Sequence, residues 1–261
     1  MRFTKMHGLG NDYLFVYGEP ENPQELSIKL SDRHFGVGSD GMVWISPSVV
    51  ADFKMRIFNA DGSEAKMCGN GIRCIGKYVY DKGYTTKTEL KIETLSGVRT
   101  LRLEVENGQV KSVAVEMGVA MVQDDLRLTV EDMTVWCTPV SVGNPHVVIF
   151  VPDINQAPLT TLGPKLERHE AFPEGVNVEF VQVLDERTLR MRVWERGSGV
   201  TMACGTGACA STVAAINKGC CPYDEQIAVQ LDGGILHVRV APDKNVTMLG
   251  PAETVCEGET V

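Results

Sequence analysis

The chain has 261 residues, of which 43% are hydrophobic, and a formal net charge of −9 at pH 7. This length and apolar content suit one large domain or two smaller ones and argue against disorder, while the acidic balance argues against a nucleic-acid partner, which would need a basic face. No apolar run reaches the roughly 18–20 residues that cross a bilayer, and the N-terminus lacks a signal-peptide pattern, so we expect a cytoplasmic protein with no membrane association.

Alternating apolar residues predict that strands dominate the chain. This alternation occurs at residues 53–57, 101–105, 113–117 and 189–193, and it is typical of half-buried strands. Asn107-Gly108 separates two of these segments and predicts a tight hairpin turn.

Two helices stand out among the strands, over roughly 71–82 and 207–218. Each follows a Cys-Gly-x-Gly string, and each ends before a glycine, Gly83 or Gly219, that suits a left-handed helix cap. Residues 208–216 carry no charge, which predicts a helix buried on all sides. One such helix among many strands predicts a curled sheet wrapped around a central helix.

The chain also contains an internal duplication. The segment Cys68-Gly69-Asn70-Gly71 recurs about half a chain length later as Cys204-Gly205-Thr206-Gly207. Gly10-Asn11 recurs as Gly143-Asn144 at nearly the same offset, and so do other short strings. We therefore predict an α/β (α+β) fold of two structurally similar halves, each with a mostly antiparallel sheet, covering residues 1–117 and 118–249.

Each Cys-Gly-x-Gly string predicts a thiol at the start of a helix. Unpaired backbone N–H groups and the helix dipole favour anions there, so we expect the pKa values of Cys68 and Cys204 to fall. Two such helix starts facing each other could hold one carboxylate, with a sulfur on each side of the adjacent carbon. This arrangement suits inversion of a C–H centre, since one thiolate removes a proton and the other thiol returns one to the opposite face.

The ordered set of motifs in this chain resembles the diaminopimelate epimerase family and spans nearly its whole length. The motifs are His7-Gly8-Leu9-Gly10-Asn11-Asp12, Asn59-Ala60-Asp61-Gly62-Ser63, Met67-Cys68-Gly69-Asn70-Gly71, Gly143-Asn144-Pro145-His146, Gly175-Val176-Asn177, Glu195-Arg196-Gly197 and Ala203-Cys204-Gly205-Thr206-Gly207.

The resemblance implies a cofactor-independent, metal-free epimerase that interconverts LL- and meso-2,6-diaminopimelate in lysine and peptidoglycan precursor synthesis. It implies Cys68 and Cys204 as the acid–base pair, with His146 and Glu195 tuning the thiols. The remaining implied contacts are backbone at Gly69-Asn70 and Gly205-Thr206 for the reacting carboxylate, Asn59 and Glu195 near the reacting amine, and Asn11, Asn144, Asn177 and Arg196 for the distal amino-acid head.

The resemblance further implies an active site in a cleft between the two halves and a C-terminal segment, about 250–261, that returns to the first half. It implies a homodimer from the family alone. The sequence departs from the family at one position, because some members carry Gln where this chain has Gly41 after Asp40. The distal-head contact of that Gln is therefore not expected here.

Two other functions stay open at this level. A related racemase of the proline or hydroxyproline type would use the same pair of thiols, whereas a non-catalytic binding protein would hold a small molecule without exchanging its Cα proton. Zinc is disfavoured because the cysteine spacings lack the knuckle pattern. The glycine string at 36–41 is disfavoured as a dinucleotide site because a helix-like stretch precedes it and a strand-like one follows.

Overall fold

The computed structural model describes residues 1–260; Val261, the last residue of the predicted C-terminal segment, lies outside them. The chain divides into two compact units, the first comprising Met1–Val115 with the segment from Leu249 onward and the second Glu116–Met248. Sequence analysis placed Glu116 and Met117 in the first half and Leu249 in the second, so the division differs by one or two residues at each boundary.

The described residues form nineteen strands and four α-helices. Up to residue 119 the elements are β1 Arg2–Gly8, β2 Asn11–Tyr17, α1 Pro23–Ser31, β3 Gly41–Pro47, β4 Phe53–Asn59, β5 Glu64–Ala65, α2 Gly69–Asp81, β6 Glu89–Thr94, β7 Gly97–Glu106 and β8 Gln109–Val119. The remaining elements are β9 Met121–Val122, β10 Leu126–Val130, β11 Met133–Ser141, β12 Pro145–Phe150, a 3₁₀ turn Ile154–Gln156, α3 Leu159–Glu167, β13 Asn177–Asp185, β14 Thr188–Glu195, β15 Gly199–Val200, α4 Gly205–Asn217, β16 Ile227–Leu231, β17 Gly234–Val240, β18 Asn245–Pro251 and β19 Glu253–Glu259.

The first unit is a mostly antiparallel sheet packed on α2. Its strands follow the order β19, β1, β2, β3, β4, β6, β7 and β8, and only β2–β3 and β4–β6 pair in parallel among the described strands of this sheet. α1 connects the first parallel pair and α2 the second, because parallel neighbours need a crossover connection. α2 lies against β1, β2 and β7.

The second unit repeats this topology. β12–β13 and β14–β16 are parallel, with α3 and α4 as their crossovers, while β11–β12, β13–β14 and β16–β17 are antiparallel. α4 contacts β11–β14, β16 and β17, and all residues from Gly207 to Ile216 are buried. The predicted fold class, with two similar halves that each wrap a mostly antiparallel sheet around a helix, is confirmed.

Both central helices begin two residues earlier than predicted, at Gly69 and Gly205 instead of Gly71 and Gly207. The reason is that the cysteine before each helix has extended backbone angles and caps the first turn with its own sulfur. The helices end at Asp81 and Asn217, one residue earlier than predicted, and the glycines that follow are left-handed, Gly83 with φ +75° and Gly219 with φ +73°.

Candidate active site

Cys68 and Cys204 are the N-cap residues of α2 and α4. Cys68 Sγ accepts a hydrogen bond from Gly71 N–H at 3.4 Å, and Cys204 Sγ accepts one from Gly207 N–H at 3.3 Å. The sulfur takes the place of the oxygen that usually caps this position. Each sulfur therefore lies at the positive end of a helix, beside the backbone N–H groups that bind anions.

The glycine three residues after each cysteine keeps this helix start open. A Cβ on Gly207 would lie 2.8 Å from Glu179 Oε1 and 3.2 Å from Cys204 Sγ, and a Cβ on Gly71 would lie 3.3 Å from Met55 Cε. A side chain at Gly207 would displace either the carboxylate or the sulfur, so the glycine is required by space at this position.

In the first unit, Asn11 links the sulfur of Cys68 to Asp40, the residue before β3. Its Oδ1 accepts hydrogen bonds from Cys68 Sγ at 3.4 Å and from Asn70 Nδ2 at 3.2 Å, and its Nδ2 donates to Asp40 Oδ2 at 2.8 Å. Asp40 in turn forms an ion pair with Arg33. The structure therefore brings Asn11, Cys68 and Asn70 together, and Asp40 fixes which end of the Asn11 amide faces the sulfur.

A fully buried arginine supports the start of α2. Arg73 donates to Gly69 O at 3.0 Å, to Asn70 Oδ1 at 3.1 Å and to Pro251 O at 3.1 Å. Pro251 belongs to the C-terminal segment of the same unit, so the guanidinium joins that segment to the helix start. Sequence analysis did not identify Arg73.

Asn59 lies at the end of β4, where it pairs with Gly41 in β3. Its Nδ2 donates to Ser63 Oγ at 3.0 Å within the following turn. Gly41 has φ +156°, and a Cβ there would lie 2.1 Å from Phe58 O. The pairing of β3 with β4 therefore leaves no room for a side chain at position 41 in this backbone.

In the second unit, five polar side chains surround the start of α4. His146 Nδ1 lies 2.7 Å from Glu179 Oε1, and His146 Nε2 lies 3.0 Å from Asn144 Oδ1. Asn144 Nδ2 donates to Thr206 Oγ1 at 3.3 Å, and Thr206 Oγ1 lies 3.6 Å from Cys204 Sγ. The structure thus brings Asn144, His146, Cys204 and Thr206 together, and it adds Glu179.

Glu195 is a second carboxylate near the sulfur of Cys204. Burial raises its pKa, against a hydrogen bond from the Thr201 hydroxyl that lowers it, and the charge of Glu179 raises it further. Its surroundings include His146 and Cys204, so Glu195 belongs to the same group.

The expectation of a lowered pKa is wrong for Cys204. Burial raises the pKa of this thiol well above its usual value, and the charges of Glu195 and Glu179 add to the rise. Hydrogen bonds from Thr206 and Gly207 N–H lower the pKa but do not outweigh burial. The helix start favours the thiolate as expected, but the loss of water around the sulfur is the larger effect.

Asn177 and Arg196 lie next to each other, Asn177 at the start of β13 and Arg196 directly after β14. Asn177 Nδ2 donates to Pro145 O at 3.0 Å, and Asn177 Oδ1 accepts from Arg196 N–H at 3.0 Å. Arg196 Nη1 donates to Glu174 O at 2.9 Å. Asn177 therefore joins the strand that carries His146 to the turn after Glu195, and its role in reading the distal head stays a prediction.

Sequence analysis missed Glu179 and Tyr13, although both left a signal. Glu179 interrupts an apolar strand and is completely buried. Tyr13 follows Gly10-Asn11 at the spacing with which His146 follows Gly143-Asn144, and it lies beside Cys68, since burial and then the charge of Cys68 raise the pKa of Tyr13. Glu179 could have been identified as a charged residue inside an apolar strand, and Tyr13 from its position in the repeat.

Within residues 1–260, no group of three or more His, Cys, Asp or Glu side chains is placed to hold a metal ion. Over the same residues, no helix has the length and apolar character needed to cross a membrane.

Comparison with known proteins gives one consistent family. Residues 3–122 and 138–255 match the family model of diaminopimelate epimerase. A diaminopimelate epimerase from Methanococcus maripaludis is 50% identical over 276 residues, covering 99% of this chain and 99% of that protein.

Solved structures share the fold at low identity. A PhzF-family phenazine biosynthesis protein from Bacillus anthracis has a TM-score of 0.80 at 18% identity, covering 100% of this chain and 99% of that one. A hydroxyproline epimerase from Agrobacterium vitis has a TM-score of 0.73 at 16% identity, covering 99% and 91%. These two similarities establish the fold alone, whereas the family match and the half-identical relative extend over nearly the whole sequence: the chain belongs to the diaminopimelate epimerase family.

Proposed function

We propose that this chain is an isomerase that interconverts LL- and meso-2,6-diaminopimelate, a step in lysine and peptidoglycan precursor synthesis. The observation that carries the proposal is the pair of cysteine-capped helix starts, one in each unit, at matching positions of a duplicated fold. The full-length similarity to named diaminopimelate epimerases supports the choice of substrate.

The proposed reaction moves two protons and no net electrons. One cysteine, as thiolate, removes the Cα proton, so that a C–H bond breaks and an S–H bond forms. The electron pair left on carbon spreads into the adjacent carboxylate, where backbone N–H groups at Gly69-Asn70 and Gly205-Thr206 stabilise the developing charge. The other cysteine, as thiol, then gives its proton to the opposite face, and this requires the two sulfurs to address one carbon from both sides.

The raised pKa of Cys204 fits a thiol that is activated by its substrate. Its anionic neighbours, Glu195 and Glu179, oppose a further negative charge on the sulfur. An α-ammonium group bound beside Glu195 would offset that charge and lower the pKa of the thiol when substrate enters. We propose this role for Glu195, together with Asn59, at the reacting amine, and we propose Asn11, Asn144, Asn177 and Arg196 for the distal head.

The test is solvent exchange at Cα. Purified chain in D2O with LL-diaminopimelate should incorporate deuterium at one α-carbon and convert the substrate to the meso isomer, while L-proline should remain unlabelled. Labelling of proline instead would indicate the related proline-type racemase. Binding of diaminopimelate without any deuterium uptake would indicate a non-catalytic binding protein, and either result would overturn the proposal.

The cytoplasm is the proposed location, because both thiols must stay reduced to carry protons and that compartment keeps thiols reduced. A homodimer is proposed from the family resemblance, and light scattering on the purified chain would test it.

A further inference from the structure

Four hydrogen bonds connect a buried carboxylate to the sulfur of Cys204. They run from Glu179 to His146, from His146 to Asn144, from Asn144 to Thr206, and from Thr206 to Cys204, with heavy-atom distances of 2.7, 3.0, 3.3 and 3.6 Å. We call these five residues the Cys204 chain. The proposed epimerisation uses Cys204, the backbone at Thr206 and Asn144, but it assigns no role to Glu179.

The hydrogen bonds of the Cys204 chain must all be donated in the same direction along the series. The amide of Asn144 has one oxygen and one NH2 group, so when its oxygen accepts from His146 its nitrogen donates to Thr206. Thr206 then has its own O–H left to donate to Cys204 Sγ, which favours the thiolate. This direction requires His146 to donate from both ring nitrogens, as an imidazolium does.

A neutral His146 reverses the direction. With its proton on Nδ1, facing Glu179, the ring presents a lone pair to Asn144, and the amide must turn to donate its NH2 to that nitrogen. The amide oxygen then accepts from the Thr206 hydroxyl, and Thr206 can only accept a hydrogen bond from the thiol of Cys204. Asn144 and Thr206 lie between His146 and Cys204 in this series. The protonation state of His146 therefore decides whether Cys204 is stabilised as thiolate or as thiol.

Glu179 is the group that selects between these states. The side chains of Glu179 and His146 are completely buried, and Nδ1 of the ring lies 2.7 Å from Oε1 of the carboxylate. Within residues 1–260, Glu179 Oε2 has no hydrogen-bond partner, so the carboxylate depends on His146 for compensation of its charge. An unpaired buried charge is costly, so this carboxylate is best compensated by a positive charge on the side chain that it contacts, which is His146.

We propose that Glu179 is a positioning residue that holds His146 as the imidazolium, so that every hydrogen bond in the Cys204 chain points towards Cys204 and the Thr206 hydroxyl donates to its sulfur. The catalytic value of this arrangement rests on the proposed function, but the experiments that test the arrangement do not. Besides the members of the Cys204 chain, Glu195 from β14 and the Gly207 N–H from α4 face Glu179 and Cys204.

The test compares Glu179→Gln with Glu195→Gln, since each removes one buried negative charge near Cys204. The full chain without substrate is alkylated with iodoacetamide at a fixed pH near neutrality, and the rate at Cys204 is followed by fragment mass. Only the thiolate reacts, so the rate reports its fraction. Glu195→Gln should raise the rate. Glu179→Gln should lower it about tenfold, because losing the imidazolium and the Thr206 hydrogen bond raises the pKa of the thiol.

Simple charge removal predicts the opposite sign, so the result decides between the two accounts. A faster or unchanged alkylation rate in Glu179→Gln would overturn the proposal. A second readout is the ring of His146 in nitrogen NMR, assigned with His146→Gln: we expect two N–H signals in the parent chain near neutral pH and one in Glu179→Gln. A neutral ring in the parent chain would also overturn it.

If Glu179→Gln does not fold, Thr206 gives an independent test. Thr206→Val should slow alkylation of Cys204 severalfold, whereas Thr206→Ser should leave it near the parent rate. Equal alkylation rates in the two variants would count against the proposed role of the Cys204 chain. None of these measurements uses epimerisation, so a failure here and a failure to convert diaminopimelate are separate results.

Discussion

The starts of α2 and α4 share a backbone but not their polar surroundings. Cys68 Sγ faces the oxygen of Asn11, an acceptor whose orientation is fixed by Asp40. Cys204 Sγ faces the hydroxyl of Thr206, and the amide behind that hydroxyl presents its nitrogen. An acceptor beside sulfur favours a thiol and a donor favours a thiolate, so the two caps differ in the polar group that each presents to its sulfur.

The difference is located at matched positions of the repeat. Tyr13 occupies the position of His146, counted from the Gly-Asn motifs. Val43 pairs with Phe15 as Glu179 pairs with Val148, four residues after each Asn, so a buried valine stands where the second unit has a carboxylate. The duplication supplies the geometry twice, and these few side chains give each copy its own proton chemistry.

Replacement of the cysteines should give the largest effect. Cys68→Ala and Cys204→Ala should each lower kcat for epimerisation by at least about 10³-fold, because each face of the carbon needs its own proton carrier. Each variant keeps one base, so in D2O it should label only the isomer whose proton faces that base, with retained configuration. Mass and chiral analysis of each pure isomer would measure this.

The labelling pattern also assigns each cysteine to a stereoisomer. If both variants labelled the same isomer, or if either epimerised at a substantial rate, the two units would not act as complementary carriers.

The matched positions 13 and 146 should give a smaller and unequal effect. His146→Gln should lower kcat/KM about tenfold to a hundredfold, because it removes an ionisable member of the Cys204 chain. Tyr13→Phe should lower it less than about threefold, since its raised pKa keeps the phenol neutral and no charge is lost. Steady-state kinetics in both directions would measure this, and equal losses would contradict a functional difference between the two surroundings.

The architecture was predictable because the internal repeat and the hydrophobic periodicity are both visible in the linear sequence. The alternating strands, the buried α4 and the left-handed glycines at 83 and 219 follow from residues read in sequence. The helix starts were misplaced by two residues because cysteine is an unusual N-cap, so the glycines after it seemed to lie outside the helix.

The side-chain connections of the site were less predictable. The sequence shows Asn144, His146 and Thr206 as candidates but not the order in which they are bonded. That order depends on the parallel pairing of β12 with β13, which brings Glu179 beside the start of α4. The pKa of Cys204 was predicted with the wrong sign because burial of a sulfur depends on the whole unit, whereas the helix dipole is evident locally.

The smallest expected effect is a difference in thermal stability between variants at the ends of α1 and α3. Asp32 and Glu167 occupy matched positions before Arg-His in each unit. Asp32 accepts hydrogen bonds from the N–H groups of Phe35 and His34, which lower its pKa. The indole N–H of Trp194 lowers the pKa of Glu167, and the Gly197 N–H adds to this, so that Glu167 anchors both sides of the Glu195-Arg196 turn.

A carboxyl group with a lowered folded-state pKa stabilises the protein above its unfolded-state pKa, about 4.3 for Glu. That stability is lost as the pH falls through the folded-state value. Glu167→Gln should therefore lower Tm by about 2–4 °C at neutral pH, and the difference from the parent chain should shrink below about pH 4. Asp32→Asn should give a smaller decrease at neutral pH, which should likewise shrink in acid, because Asp32 is exposed and caps only its own turn. Thermal unfolding of both variants across this pH range would measure the contrast, and a Glu167→Gln difference that grows in acid would contradict the lowered pKa.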